Sequence, residues 1–363
     1  MPISKIPAAG FSDAVNFRNI IINGDMSLAQ RATSDSSNTT GGYVTCDRWL
    51  ADIDTQGTWT LSQSTEVPSG QGFAKSFKYD CTTADASPAA GDKINLQQRL
   101  EGQMLQYLKK GTSSAESTTL SFWVRSNKTG TYICELQDVD NTRSISKSYT
   151  ISAADTWEKK TITFAGDTSG ALDNDNARSL DVIWYLGAGS NLTSGTLNTS
   201  WNSTTAANRA VGQVNLADST DNEWYITGVQ LEAGTAASEF EFLPHDVNLD
   251  RCYRYFQMIV NAVDDKGLGS GWYSASGNAR FQPEIKKTMR STPSLYQTTA
   301  SDSFRLFSAG GGNDLIDSWA IMSGSSDNFV IANNTANASG TAGQVGYVLT
   351  NQSTSYFGLE SEL

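Results

Sequence analysis

The sequence predicts an all-β protein of two tandem β-sandwich domains with one short helix in the first, and three features carry that prediction. Apolar residues alternate with polar ones over short runs, as in Leu120, Phe122 and Val124, which is the pattern of strands buried on one face. Clusters of Gly, Ser, Thr and Asn, the residues that suit turns, separate these runs at fairly even spacing. At 363 residues, 38% apolar and 18% charged, the chain exceeds the ~100 to 200 residues of one domain and supplies two cores.

Taken in order, residues 1–18 hold Pro2 and Pro7 without an apolar period, so they are read as an arm that docks elsewhere. The first domain is placed at 19–245. Its first strand is Ile20, Ile21 and Ile22, running into the turn-forming pair Asn23 and Gly24. Leu120, Phe122 and Val124, then Tyr132, Cys134 and Leu136 across Lys128-Thr129-Gly130, read as a hairpin facing a core. Ile162 and Phe164, then Leu180, Val182, Trp184 and Leu186, then Val229 and Leu231 add the inward rows that two packed sheets need.

The helix is placed at Leu96, Leu100, Met104 and Leu108, which recur every fourth residue before Lys109, Lys110 and Gly111. Gly102 inside it counts against it by about 1 kcal/mol relative to Ala. The polar stretch from Gly187 to Asp221 reads as an elaborated loop, and long ordered loops are often functional. Residues 246–257 are read as a linker with a helical turn or two. Residues 258–363 then form a smaller β-sandwich with strands near Phe304–Phe307, Trp319–Met322, Phe329–Ile331 and Val345–Leu349.

Composition excludes several functions. Twenty-six basic residues against 38 acidic ones give a net charge of −12, which repels phosphate backbones and argues against nucleic acid. No apolar run approaches the ~18 residues of a membrane span, and Met1 to Ala9 lack a secretory pattern, so the chain is expected to stay soluble where it is made. Cys46, Cys81, Cys134 and Cys252 are scattered and read as buried apolar residues, with a disulfide as the alternative.

Catalytic constellations are equally sparse. His245 is the only histidine, so a nucleophile–His pair would have to be built around this residue of the expected linker, where an exposed or satisfied histidine is the simpler reading, and a His-rich zinc site lacks its parts. Gly310-Gly311-Gly312 lacks the Lys and Ser/Thr of a phosphate loop. A glycosidase needs only two carboxylates, and 38 acids leave that open, but no pair stands out. Asp138, Asp140, Asp173 and Asp175 lie in loop contexts where acids usually solvate turns, with calcium as the lesser reading. The expectation is a non-enzyme without a cofactor.

Aromatic residues are the more telling feature, because flat rings hold sugar faces. Trp123 and Tyr185 fall on the side of their strands opposite the core rows, where they would bind glycan, pack under the helix or form a subunit interface. Trp201, Trp272 and Tyr273, in polar Gly-rich surroundings, are further contact candidates.

Asn19-Ile20-Ile21-Ile22-Asn23-Gly24-Asp25-Met26, Ala29-Gln30-Arg31 and Tyr43-Val44-Thr45-Cys46-Asp47-Arg48-Trp49 together resemble the opening of bacteriophage tail-fibre and virion structural proteins of marine and cyanobacterial type. Leu120 to Ser126, Trp224 to Gly234, Phe240-Glu241 and Arg251 to Phe256 are similar to later blocks of the same family. Met289-Arg290-Ser291-Thr292-Pro293 resembles a loop of its second domain. The resemblance implies a jelly-roll related to carbohydrate-binding modules, a homotrimer in the virion, contact with host surface saccharide, and docking to tail or capsid proteins. Such modules hold calcium through positions where this chain has Met26, Ser27 and Thr227, a departure from that pattern. Three functions are therefore weighed: a receptor-binding fibre, a purely architectural capsid or tail protein, and a glycan-degrading enzyme or its binding module.

Overall fold

The computed structural model describes residues 17–308, 312–324 and 330–363, so the expected docking arm lies outside it apart from Phe17 and Arg18. The protein is all-β, in two compact units. One gathers the chain up to Ser27, Ser36–Gly41 and Ala51–Leu243; the other gathers Leu28–Asp35, Gly42–Leu50 and Pro244–Leu363.

The first unit is a sandwich of two sheets built from antiparallel ladders. Its six-stranded sheet runs Ser34–Asn38, Thr58–Ser64, Ser76–Thr83, Glu223–Ala233, Thr118–Ser126, Glu158–Phe164. Its seven-stranded sheet runs Asn202–Ser203, Arg143–Ile151, Gly130–Asp138, Arg178–Ala188, Lys93–Glu101, Leu50–Asp54, Gly41–Gly42. All the inward rows expected from the alternation are buried. Phe122 of one sheet meets Tyr149 and Trp184 of the other edge-on, with ring centroids 5.2 and 5.8 Å apart, the geometry aromatic rings prefer.

Three expectations are corrected in this unit. Thr118–Ser126 and Gly130–Asp138 do not form a hairpin: they belong to opposite sheets, and the short segment between them crosses the sandwich. The helix expected at Leu96–Leu108 is instead the strand Lys93–Glu101 followed by two single 3-10 turns, Gly102–Met104 and Gln106–Leu108. Leu96 and Leu100, four apart, satisfy a period of two as well as 3.6, and Ile94 and Gln98 complete the inward row of a strand. A side chain at Gly102 would strike the carbonyl of Asp173, so the turn needs glycine there.

Ile20, Ile21 and Ile22 are buried but are not a strand. Their amides are satisfied singly, by the Leu231 carbonyl at 2.9 Å, Asn19 Oδ1 at 3.0 Å and Gln98 Oε1 at 2.8 Å. Asn23 does take the positive φ, 56°, expected of the turn.

The second unit is also a sandwich. Its three-stranded sheet runs Phe256–Val260, Phe357–Glu360, Ser294–Gln297, and its seven-stranded sheet runs Gly312–Ile316, Phe304–Ser308, Val345–Thr350, Gly267–Ala275, Asn278–Phe281, Val330–Asn334, Ala320–Gly324. Phe281, Phe304, Trp319 and Phe357 form the centre of its core. The stretch expected to link two domains at 246–257 is part of this unit: it holds the helix His245–Tyr253 and the start of the strand Phe256–Val260. Asp246 in the first turn and Arg251 in the last complement the helix dipole.

Two of the opening blocks, Ala29-Gln30-Arg31 and Tyr43 to Trp49, also belong here, whereas Asn19 to Met26 belongs to the first unit. Gln30 donates its amide N–H and side-chain Nε2 to the two carboxylate oxygens of Asp47, at 2.9 and 2.8 Å. Arg31 reaches Glu360 at 2.9 Å and Glu362 at 3.4 Å, while Arg48, fully buried, pairs with Glu362. Each guanidinium lies over a ring, Arg31 over Phe256 at 3.6 Å and Arg48 over Tyr255 at 3.5 Å. All four cysteines are buried.

Candidate functional site

In the strand Lys93–Glu101 the inward row leaves Lys93, Asn95, Gln97 and Arg99 on the outer face of the first unit's seven-stranded sheet. The ladder sets Asn95 opposite Tyr185, Gln97 opposite Ile183 and Arg99 opposite Asp181. The next ladder sets Ile183 opposite Glu135 and Asp181 opposite Gln137. Asp52 enters from the Leu50–Asp54 strand. The result is a groove of about 430 Å³ lined by Asp52, Asn95, Gln97, Arg99, Gln137 and Arg209, among others, within the size range of small-ligand sites.

One carboxylate organises the polar row. Asp52 Oδ2 accepts from Lys93 Nζ at 2.8 Å and from the amide nitrogens of Asn95 and Gln97, both at 3.2 Å. An ionised carboxylate can only accept, so both amides are fixed with nitrogen toward Asp52 and carbonyl oxygen away from it. Among the described residues no protein donor reaches the buried acceptors Asn95 Oδ1 and Gln97 Oε1. Leaving such a group unmet costs about 1–3 kcal/mol.

A second network supports the same face. Glu135, fully buried, accepts from the Tyr185 hydroxyl at 2.7 Å and from Arg209 Nε at 3.0 Å to each oxygen, and Arg209 also donates to Gln137 Oε1 at 2.6 Å. Burial, and then the Glu135 charge, push the Tyr185 hydroxyl well above its usual pKa, so it stays a donor. Asp181, also buried, is paired with Arg178. The long polar stretch after Gly187 places Leu192, Leu197 and Ala210 against Ile133, Ile183 and Tyr185, covering part of this face and bordering the groove.

The five aromatic candidates do not form one site. Tyr185 lies in the groove, but at 1% exposure it offers no ring face to a ligand. Trp123 is half-buried on the other sheet, between Lys159 and Thr227. Trp201 donates its indole N–H to the Ala165 carbonyl at 2.7 Å with Lys110 over its ring, a packing role. In the second unit, Tyr273 is buried with its hydroxyl on Asp314 at 2.7 Å, and Trp272 lines a hollow on the outer sheet face.

The loop acids are engaged within the protein. Asp138 pairs with Lys110 and accepts from Asn141, Asp140 accepts the Asp173 amide at 2.9 Å, and Asp175 accepts the Ala177 amide at 2.9 Å. Among the described residues no group of three His, Cys, Asp or Glu side chains is arranged to hold a metal ion.

The groove residues Asp52, Asn95, Gln97, Arg99, Gln137 and Arg209 escaped the sequence reading. Reading 96–108 as a helix scattered Asn95, Gln97 and Arg99 around an axis instead of lining them up. The alternation Lys93, Asn95, Gln97, Arg99 against Ile94, Leu96, Gln98, Leu100 was the available signal.

No protein-family model matches the chain, and no curated protein matches it. Among solved structures it is similar to the enzymatically active domain of tailspike protein 4 of bacteriophage CBA120, at 15% identity over 60% of this chain, with a TM-score of 0.31. The match spans 21% of that tailspike's length. A putative sugar binding protein from Bacteroides thetaiotaomicron matches at 14% identity over 59% of this chain and 99% of its own, with a TM-score of 0.33. A xylan-binding domain from Paenibacillus barcinonensis matches at 14% identity over 56% and 94%, with a TM-score of 0.25.

Proposed function

We propose that the first unit holds saccharide in the groove on its seven-stranded sheet, as the host-contacting part of a phage virion fibre, and performs no bond-making chemistry. The observation that carries the saccharide reading is the pair of Asp52-anchored amides, whose free oxygens call for hydroxyl donors. Carboxylate or sulfate groups donate nothing to them, so a neutral glycan suits the row better than an anionic one.

Carboxylates in and beside the groove support the non-enzymatic reading: Asp52, which lines it, is held by Lys93 and two amides. Glu135 and Asp181 are each paired with arginine, whereas a glycosidase general acid must carry a proton. The virion location, attachment through residues 1–18 and a homotrimer come to this reading from the motif blocks alone. Among the described residues no helix is long and apolar enough to cross a membrane.

Titration of the purified chain against a panel of neutral and anionic polysaccharides tests the proposal. Binding to a neutral glycan is expected, weakened at least about tenfold, or ~1.4 kcal/mol, by Asn95→Ala with Gln97→Ala. Absence of binding across the panel, or binding indifferent to both substitutions, refutes the groove. Release of reducing ends from the bound glycan refutes the non-enzymatic part.

A further inference from the structure

The outer face of the second unit's seven-stranded sheet has the opposite character. A sheet face turned to water is expected to carry polar side chains. Here the ladders set Phe307 opposite Tyr347 and Val345 opposite Trp272, with Leu315 diagonal to Phe307 on the neighbouring strand. Tyr347 is 66% exposed, Val345 58%, Phe307 48% and Leu315 38%. At about 200 Å² per large side chain these four leave roughly 400 Å² of apolar surface in water, within the range of the largest patches found on monomers and often functional.

We propose that this face is the contact between copies of this chain. The roughly 400 Å² it exposes is about half of the ~800 Å² each partner of a stable pair buries, enough for the apolar centre of such an interface. The face carries both a projecting ring, Tyr347, and a hollow of about 510 Å³ between Trp272, Phe307 and Val345. A surface holding both knob and hole is what self-association requires.

Charge points the same way. Among the described residues no carboxylate lines the hollow, and Arg280 stands opposite Trp272 beside it. For a chain of net charge −12 this is a face where a second copy meets no acidic row, and where this arginine attracts it. A saccharide fits less well, because among the described residues Ser270 is the only non-aromatic polar side chain lining the hollow, and sugar hydroxyls need partners. This inference does not rest on the groove of the first unit.

Sedimentation velocity up to roughly 100 µM, where even a weak contact is populated, reads the mass directly. The wild-type chain is expected above the mass of one copy, and Tyr347→Ser with Phe307→Ser is expected to weaken association at least about tenfold with an unchanged circular dichroism spectrum. Val345→Lys, which places a charge on an exposed position, serves as an independent second variant with the same expected effect. Asn95→Ala with Gln97→Ala should associate as wild type does, which separates failure here from failure of the groove. A wild-type chain that keeps the mass of one copy, or association untouched by all three face substitutions, overturns the proposal. So does a one-copy chain whose Trp272 fluorescence responds to polysaccharide, which would make the face a sugar platform.

Discussion

The two seven-stranded sheets share an antiparallel architecture, yet their outer faces are built for different neighbours. On the first, outward positions such as Asn95, Gln97, Glu135 and Tyr185 carry amides, a charge and a hydroxyl, held in one orientation by Asp52 and by the Glu135 network. On the second, outward positions carry Phe307, Val345, Tyr347 and Trp272. The contrast shows that the residues at outward positions, not the sheet, decide what a face can hold. A polar face must also fix its groups in place, because an amide that rotates freely presents no defined acceptor. An apolar face needs only shape.

The largest predicted effect breaks the first half of that comparison. Glu135→Ala leaves Arg209 without its carboxylate and the buried Tyr185 hydroxyl without its acceptor. Breaking a buried pair in this way costs about 3–5 kcal/mol. Urea unfolding of the variant should show that loss, and Glu135→Gln, which keeps an acceptor, should lose less. A variant as stable as wild type would mean that the groove does not depend on its charge network.

A smaller effect separates the two units by pH. Burial, working against hydrogen bonds from Gln30 and the nearby Arg31 charge, raises Asp47 of the second unit to about 6 from an ordinary 3.8. The folded state therefore holds a proton between about pH 4 and 6 that the unfolded state has lost, and stability falls as pH rises through that window. The second unit should be more stable at pH 5 than at pH 7 by about 1.3 kcal/mol, since that interval spans roughly one unit of proton uptake at ~1.4 kcal/mol per unit. In the first unit, by contrast, Lys110 and Arg143 outweigh burial and hold Asp167 below its ordinary value. Its contribution is lost only as pH falls through the acid range, so the two units respond in opposite directions. Amide exchange in the strand Phe256–Val260, measured at pH 5 and 7 and corrected for intrinsic rates, reads the second unit alone. Equal protection at both values would remove the contrast.

How much of this was legible follows from what a sequence period encodes. Rows such as Leu180, Val182, Trp184 and Leu186 announced an inward face, and they have one. The same alternation says nothing about which strand lies alongside, so Thr118–Ser126 and Gly130–Asp138, close in sequence, were paired although they face each other across the core. Gln30, Arg31, Asp47 and Arg48 stood out as a pattern, but the partners of the two arginines, Glu360 and Glu362, lie more than 300 residues away. Aromatic residues drew attention because rings advertise contact. The groove instead uses Asn95 and Gln97, which look ordinary until the strand aligns them.

The smallest predicted effect tests the second half of the comparison, that the apolar face plays no part in folding its own unit. Tyr347 is two-thirds exposed, and the core of its unit is centred on other residues, among them Phe281, Phe304, Trp319 and Phe357. Tyr347→Ser removes apolar surface that is already in water, so neither a cavity nor an unmet buried group results, and stability should change by no more than about 0.5 kcal/mol. At concentrations where the chain is a single copy, its urea midpoint should match wild type. At higher concentrations wild type alone should gain stability by mass action, because contact between copies favours the folded state. A loss of 2 kcal/mol or more in the dilute limit, on the order of a core truncation, would place the ring inside the fold and not on a surface kept for a partner.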